Sequence, residues 1–224
     1  LVGLLFASVY ITDIVYAPSG LLNVEHFIRL LYHVILVALL VIATFIDYDL
    51  YIIPDAVTVT GMILGLGLGA LVPEVRPAPS TADSFLGGLT VGLIGWAVGG
   101  GVVWAVRIVA GVAFRREAMG FGDVTLLAMI GSFLGWQAAV LTFFLAPFFG
   151  LAHAAWKLIA LFGKFLTGRK ISGADRELPF GPYLSLAALT LLLSWPWLWP
   201  SWARNLFETL TELTRFLLGM DAVG

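Results

Sequence analysis

The feature that most constrains this chain is its series of long apolar runs separated by short polar loops. A helix of about 20 apolar residues matches the roughly 30 Å hydrocarbon core of a bilayer. Such runs lie near 1–17, 28–46, 56–72, 84–106, 124–135, 137–162 and 180–199. The chain therefore reads as an all-α, polytopic integral membrane protein with about seven transmembrane or half-spanning helices. The fifth run is too short to cross. With the turn at Gly135-Trp136-Gln137 it is either a half-span or a helix whose entry lies elsewhere than residue 124. Composition agrees, since 60% of residues are apolar and only 12% charged, far below the roughly 25% charged residues of a soluble domain.

Two units are expected: a membrane-embedded domain over 1–200 and a C-terminal tail over 201–224. In the tail, Ser201 is placed to cap a helix. Its apolar face would hold Leu206, Phe207, Leu210, Leu213, Leu217 and Leu218, and its polar face Arg204, Glu208, Glu212 and Arg215. That pattern, after a belt of tryptophans, fits a helix lying in the interface. The chain begins at Leu1 in an apolar run with no basic leader, which reads as a fragment or a processed chain.

Charge narrows the partners. A net charge of −2 gives no footprint for nucleic acid. The absence of cysteine excludes disulfides, thiolate metal sites and a thiol nucleophile for the residues present. No metal site is expected. If the spans alternate, the loops near 47–55, 107–123 and 163–179 share one side, which carries Arg107, Arg115, Arg116, Lys164, Arg169, Lys170 and Arg176. That side is cytoplasmic by the bias of Lys and Arg toward cytoplasmic loops. The opposite side offers Arg76, Arg204 and Arg215, with Arg29 at the start of the second span. The glycines at 65, 67 and 69 and from 87 to 101 are read as sites of close helix approach.

On the basic side, two stretches put acids where an apolar span meets water. One holds Asp47, Asp49, Pro54 and Asp55; the other holds Gly120, Gly122 and Asp123. Two facing carboxyls in a poorly solvated site cannot both ionise, so one stays protonated. Such a pair can activate water and polarise a peptide carbonyl without metal or covalent nucleophile. Taken singly, each acid also has a plainer role. Asp123 and Asp55 can stabilise helix N-termini, Asp47 can be a solvated end-of-span residue, and Asp49 can tune Asp47 or simply face water. Asp13, inside an apolar run, is read as lying near a loop boundary, and His153 as a helix-packing residue. A proton-coupled transporter using the same acids is the alternative from another class. An assembly subunit indifferent to both acids is a third reading.

Three blocks together resemble the type IV prepilin peptidase (leader peptidase) family of GxGD membrane aspartic proteases. They are IDYDLYIIPD (46–55), GFGDVTLLAMIG (120–131) and LPFGPYLSLAAL (178–189). The resemblance implies a catalytic pair on Asp47 and Asp123, with Asp49, Pro54, Asp55, Gly120 and Gly122 as supporting motif positions. It implies removal of the basic leader from prepilin or type II secretion pseudopilin precursors, at the cytoplasmic face of a bacterial inner membrane. No cofactor is implied for peptidase activity. Acids such as Asp49, Asp55, Asp175 and Glu177 would face the basic leader. The chain departs from the family in two ways. Thr125 stands where members commonly have Lys, and the cysteine-containing region is absent. S-adenosylmethionine is implied only if a missing methyltransferase region belongs to the full protein. Within proteases, a presenilin-like enzyme that cuts inside the bilayer is the nearest competitor.

Overall fold

A computed structural model of the chain describes residues 2–15, 24–76, 84–114, 119–166 and 179–217, with backbone alone for 15, 114 and 160–166. The expected order of apolar segments is present as helices. These are α1 (Val2–Tyr10, continued by a π turn over Ile11–Val15), α2 (Val24–Leu50), α3 (Asp55–Leu71), α4 (Phe85–Phe114), α5 (Phe121–Leu134), α6 (Trp136–Leu166), α7 (Gly181–Leu198) and α8 (Arg204–Leu217). The chain is an all-helical, multi-pass membrane protein. The helices α2, α4 and α6 are long and apolar enough to cross a bilayer, and α1, α3 and α5 are apolar but shorter.

The architecture is organised around α5. Its 14 residues extend about 21 Å, short of a bilayer core. It is nevertheless stable as a half-span because protein encloses it: α3, α4, α6 and α7 all pack on it, and every residue from Asp123 to Leu134 except Thr125 is buried. It begins at Phe121, earlier than the apolar run suggests, and stops at Gly135. There a φ of 89° suits glycine, and the Gly135 N–H donates to the Gly131 carbonyl at 2.9 Å. The chain then reverses directly into α6.

Glycines set how closely these helices approach. Gly95 of α4 and Gly131 of α5 meet backbone to backbone, and a Cβ on either would overlap the carbonyl of the other. The expectation of close approach holds for these, whereas Gly67 and Gly101 face open space.

At the far end of the bundle from Asp47, Arg76 has a role that its sequence position does not disclose. Read as a loop charge, it is instead buried, at 5% exposure. Its guanidinium donates from Nη1 to the carbonyls of Gly69 (2.8 Å) and Gly88 (2.7 Å), and from Nη2 to Gly65 (3.3 Å) and Ser132 (3.4 Å). Gly69 in α3 and Ser132 in α5 are among the last four residues of their helices, where carbonyls lack intrahelical partners and carry partial negative charge. The Tyr32 hydroxyl of α2 lies at 3.1 Å from the Gly65 carbonyl and 3.0 Å from that of Phe133, tying α2 to the same knot.

Asp13, two residues before the end of the first described segment, is buried on the π turn after α1, 2.7 Å from Nδ1 of buried His33 on α2, and that partner makes its burial tolerable. One further expectation is corrected: Ser201 does not cap a new helix. Its hydroxyl donates backward to the carbonyls of Trp197 (2.6 Å) and Leu198 (3.3 Å), and the helix continues through a π turn over Trp199–Ala203 into α8. In α8, Phe207 packs edge-on against Trp136 (5.0 Å between ring centroids), while Leu210, Leu213 and Leu217 remain exposed. Leu218 lies outside the described residues. His153 does serve helix packing, through a 2.6 Å bond between Nδ1 and the Tyr183 hydroxyl of α7.

Candidate active site

Asp47 occupies the last turn of α2, which runs on to Leu50. Four residues later the chain turns at Tyr51, whose N–H donates to the Asp47 carbonyl at 2.9 Å. Tyr51 adopts a φ of 55°, a left-handed conformation unusual for a bulky residue, and this ends the helix abruptly. The following segment carries Ile52 and Ile53 back across the mouth of the bundle to Pro54, the N-cap of α3. Asp123 sits in the first turn of α5, three residues after the N-cap Gly120, and its carboxylate accepts the Gly120 backbone N–H. The plainer role of Asp123, stabilising a helix N-terminus, is thus present together with its exposure to the cavity.

Between these two helix ends lies a cavity of about 650 Å³, lined by Asp47, Gly120, Gly122 and Asp123 together with Tyr51, Ile52, Ile53, Met119, Phe121, Pro179 and Phe180. Asp47 (6% exposed) and Asp123 (8%) are both nearly buried and both face it. The Asp123 carboxyl, at the mouth of α5 just before the apolar run from Val124, is pushed up to about 6. Burial is the main cause, the charge of Asp47 adds to it, and the Gly120 N–H opposes it. Of the supporting motif positions, Gly120 and Gly122 are at the cavity and Asp49, Pro54 and Asp55 are not. Asp49 and Asp55 are exposed, and Asp55 lies in the first turn of α3. Thr125 faces away, its hydroxyl donating to the Gly122 carbonyl at 3.0 Å. Among the described residues no group of three or more His, Asp and Glu gathers in a form that could hold a metal.

One residue of the site has no side chain to betray it. The N–H of Gly181, first residue of α7, donates to Oδ2 of Asp47 at 3.0 Å. A Cβ at Gly181 would stand 2.5 Å from that oxygen and 3.0 Å from Ile53 Cδ1. Only glycine lets the helix start come this close. The third sequence block was the signal that pointed here, through Leu178 to Pro182.

The matched family model is that of the type IV leader peptidase family, and it covers residues 34–155, including Asp47 and Asp123. The chain belongs to the type IV leader peptidase family. Among its relatives are the prepilin leader peptidase/N-methyltransferases of Aeromonas salmonicida (33% identical, covering 69% of this chain and 46% of that protein) and Pseudomonas putida (30%, covering 76% and 49%). That of Myxococcus xanthus is 30% identical, over 73% of this chain and 62% of its own length. The chain spans about half the length of the first two of these curated relatives. No solved structure matches it. In this leader peptidase family member, Gly181 lies beyond the matched stretch yet touches Asp47 within it.

Proposed function

We propose that this protein is an aspartic endopeptidase that removes the basic leader from type IV prepilin or type II secretion pseudopilin precursors, with Asp47 and Asp123 as its catalytic pair. The observation that carries the proposal is the meeting of the two carboxyls at one cavity, from opposite helix ends, in a chain of the leader peptidase family. In the proposed reaction Asp47 is the ionised partner, and the Gly181 N–H donates to its carboxylate. It takes a proton from water as the water oxygen attacks the scissile carbonyl. Asp123, whose proton burial and the charge of Asp47 hold to higher pH than an ordinary carboxyl, donates it to the carbonyl oxygen. Collapse of the tetrahedral diol returns a proton to Asp123, and Asp47 passes its proton to the departing amine. Both acids then regain their starting states.

The substrate's leader would stay in water while its apolar helix lies in lipid, which suits a cavity at the ends of the helices. The basic residues on its side support a site at the cytoplasmic face of a bacterial inner membrane. Of these, Arg107 stacks over Phe121 at 5.8 Å; Arg115, Arg116, Arg169, Lys170 and Arg176 lie outside the described residues, as does the side chain of Lys164. The bias is stronger than loop counting implies, since Arg76 is withdrawn into the bundle. Asp49 and Asp55, exposed beside the cavity, are the acids proposed to meet the leader's charge; Asp175 and Glu177 lie outside the described residues. No cofactor takes part in this reaction, and S-adenosylmethionine belongs only to a methyltransferase region if the full protein has one. Nothing in the family membership favours the transporter reading.

The test is cleavage of a precursor by purified protein, with the cut located by mass spectrometry. Asp47→Asn and Asp123→Asn should each lower the rate at least about 10³-fold. Undiminished cleavage by either variant overturns the assignment, and a cut inside the apolar helix would favour the presenilin-like alternative.

A further inference from the structure

A second concavity adjoins the candidate active site and is not used by the proposed chemistry. It is a groove of about 430 Å³ between α3, α4 and α5, and its lining is almost wholly apolar. Phe121 lines both spaces, forming the wall between cavity and groove. From there the groove follows one face of α5 through Val124, Thr125 and Ala128, with Val59 of α3 and Trp104 of α4 on its sides. The seven steps from Phe121 to Ala128 advance about 10 Å, close to two turns of a helix. At Gly101, on the α4 side, a Cβ would meet nothing within 4 Å, so the space there is open.

On the reading of the site given above, a precursor has a water-soluble leader before the cut and an apolar helix after it. A bond held between Asp47 and Asp123 leaves its apolar side to pass Phe121 and descend along α5. The groove between α3, α4 and α5 shares the Phe121 wall with the cavity and runs in that direction. A comparable apolar groove between α1, α2 and α7, lined by Leu5, Phe45 and Leu186, shares no residue with the cavity. We propose that the α3–α4–α5 groove is the docking site for the first two turns of the precursor's apolar helix. This also gives Thr125 a place: a short side chain, its hydroxyl satisfied within α5, leaves the groove floor apolar where a lysine would put a charge.

The chain has no cysteine, so a single introduced thiol reports without background. Gly101→Cys, combined with Asp123→Asn to hold the precursor uncut, would be mixed with precursors bearing one cysteine at each position of the first two turns after the cut. Oxidation should give disulfide cross-links with a helical repeat, and Leu186→Cys in the other groove should give none. Cross-linking from Leu186→Cys instead, or none from Gly101→Cys while the native chain still cuts the same precursors, overturns the groove and leaves the peptidase reading intact. If the native chain neither cuts nor retains any precursor, both readings fall. As an independent measurement, Gly101→Trp fills the open space and should raise KM for the full precursor at least tenfold, with kcat within about threefold and the thermal midpoint retained. Leu186→Trp should leave KM as it is. An unchanged KM for Gly101→Trp means that the groove holds lipid only, which refutes the proposal.

Discussion

Replacing Gly181 with alanine tests the site through a residue that carries no functional group. The added methyl would sit 2.5 Å from Asp47 Oδ2, and an ordinary contact begins near 3.4 Å, so carboxylate and helix start must part by about 0.9 Å. The hydrogen bond from the Gly181 N–H, now 3.0 Å, would stretch beyond bonding range. A hydrogen bond to a charged group contributes about 1.5–3 kcal/mol, and a displacement of about 1 Å at a reacting group can cost about 10²-fold. Together these predict a fall in kcat of roughly 30- to 300-fold, with KM little changed. Gly120→Ala is the internal comparison: its Cβ would lie 3.6 Å from Asp123 Oδ2, an ordinary contact, and the N–H that Asp123 accepts is retained. It should lose less than about fivefold, although Gly120 belongs to the GxGD motif and Gly181 does not. The assay is precursor cleavage in detergent, with folding checked by thermal midpoint. A folded Gly181→Ala protein that cleaves within threefold of the native chain would refute the argument that this N–H holds Asp47.

Other outcomes follow from the same geometry. Asp123 holds its proton up to about pH 6 in the folded protein but only to about 3.8 when unfolded, so between these values the folded state binds more protons and stability falls as pH rises. The thermal midpoint should therefore drop from pH 4 to pH 7, Asp123→Asn should flatten that slope, and kcat/KM should decline as pH passes about 6. Arg76→Leu strips donors from four carbonyls and should destabilise the protein by at least about 3 kcal/mol in thermal or denaturant unfolding, with Arg76→Lys recovering less than half. Asp13→Leu or His33→Leu alone should cost about 3–5 kcal/mol, whereas the double replacement should cost less than either, as measured in a double-mutant cycle.

The sequence was most informative where chemistry repeats along it. The order of the helices followed from the apolar runs, and the placing of Asp47 and Asp123 at helix ends on one side followed from their spans. The shortness of α5 was also legible, because a 14-residue helix cannot cross a bilayer. What escaped was of two kinds. Gly181 acts through its backbone, and a main-chain donor has no residue type to mark it. Arg76 and Asp13 are ionisable groups whose partners come from distant segments, so local reading assigned them to water. The carbonyls around Arg76 are contributed by α3, α4 and α5, and the histidine beside Asp13 lies on another helix. The distinction between Asp47 and Asp49 rested on resemblance; the exposed position of Asp49 outside the cavity now supplies a physical reason for it.

The knot around Arg76 also has an evolutionary reading. A methyl group at Gly69 or Gly92 would run into the guanidinium, so these two glycines are empty because the arginine fills the space between them. The three positions form one heritable unit: while Arg76 stands, side chains at 69 and 92 are selected against. A descendant that loses the arginine is relieved of its overlap at both glycines at once, with Tyr32 Oη (3.0 Å from a Cβ at 69) and Leu66 Cδ2 (2.9 Å from one at 92) left to adjust before larger residues refill the slot. Arginine with two glycines, or no arginine with neither constraint, is the pattern that a collection of descendants should display.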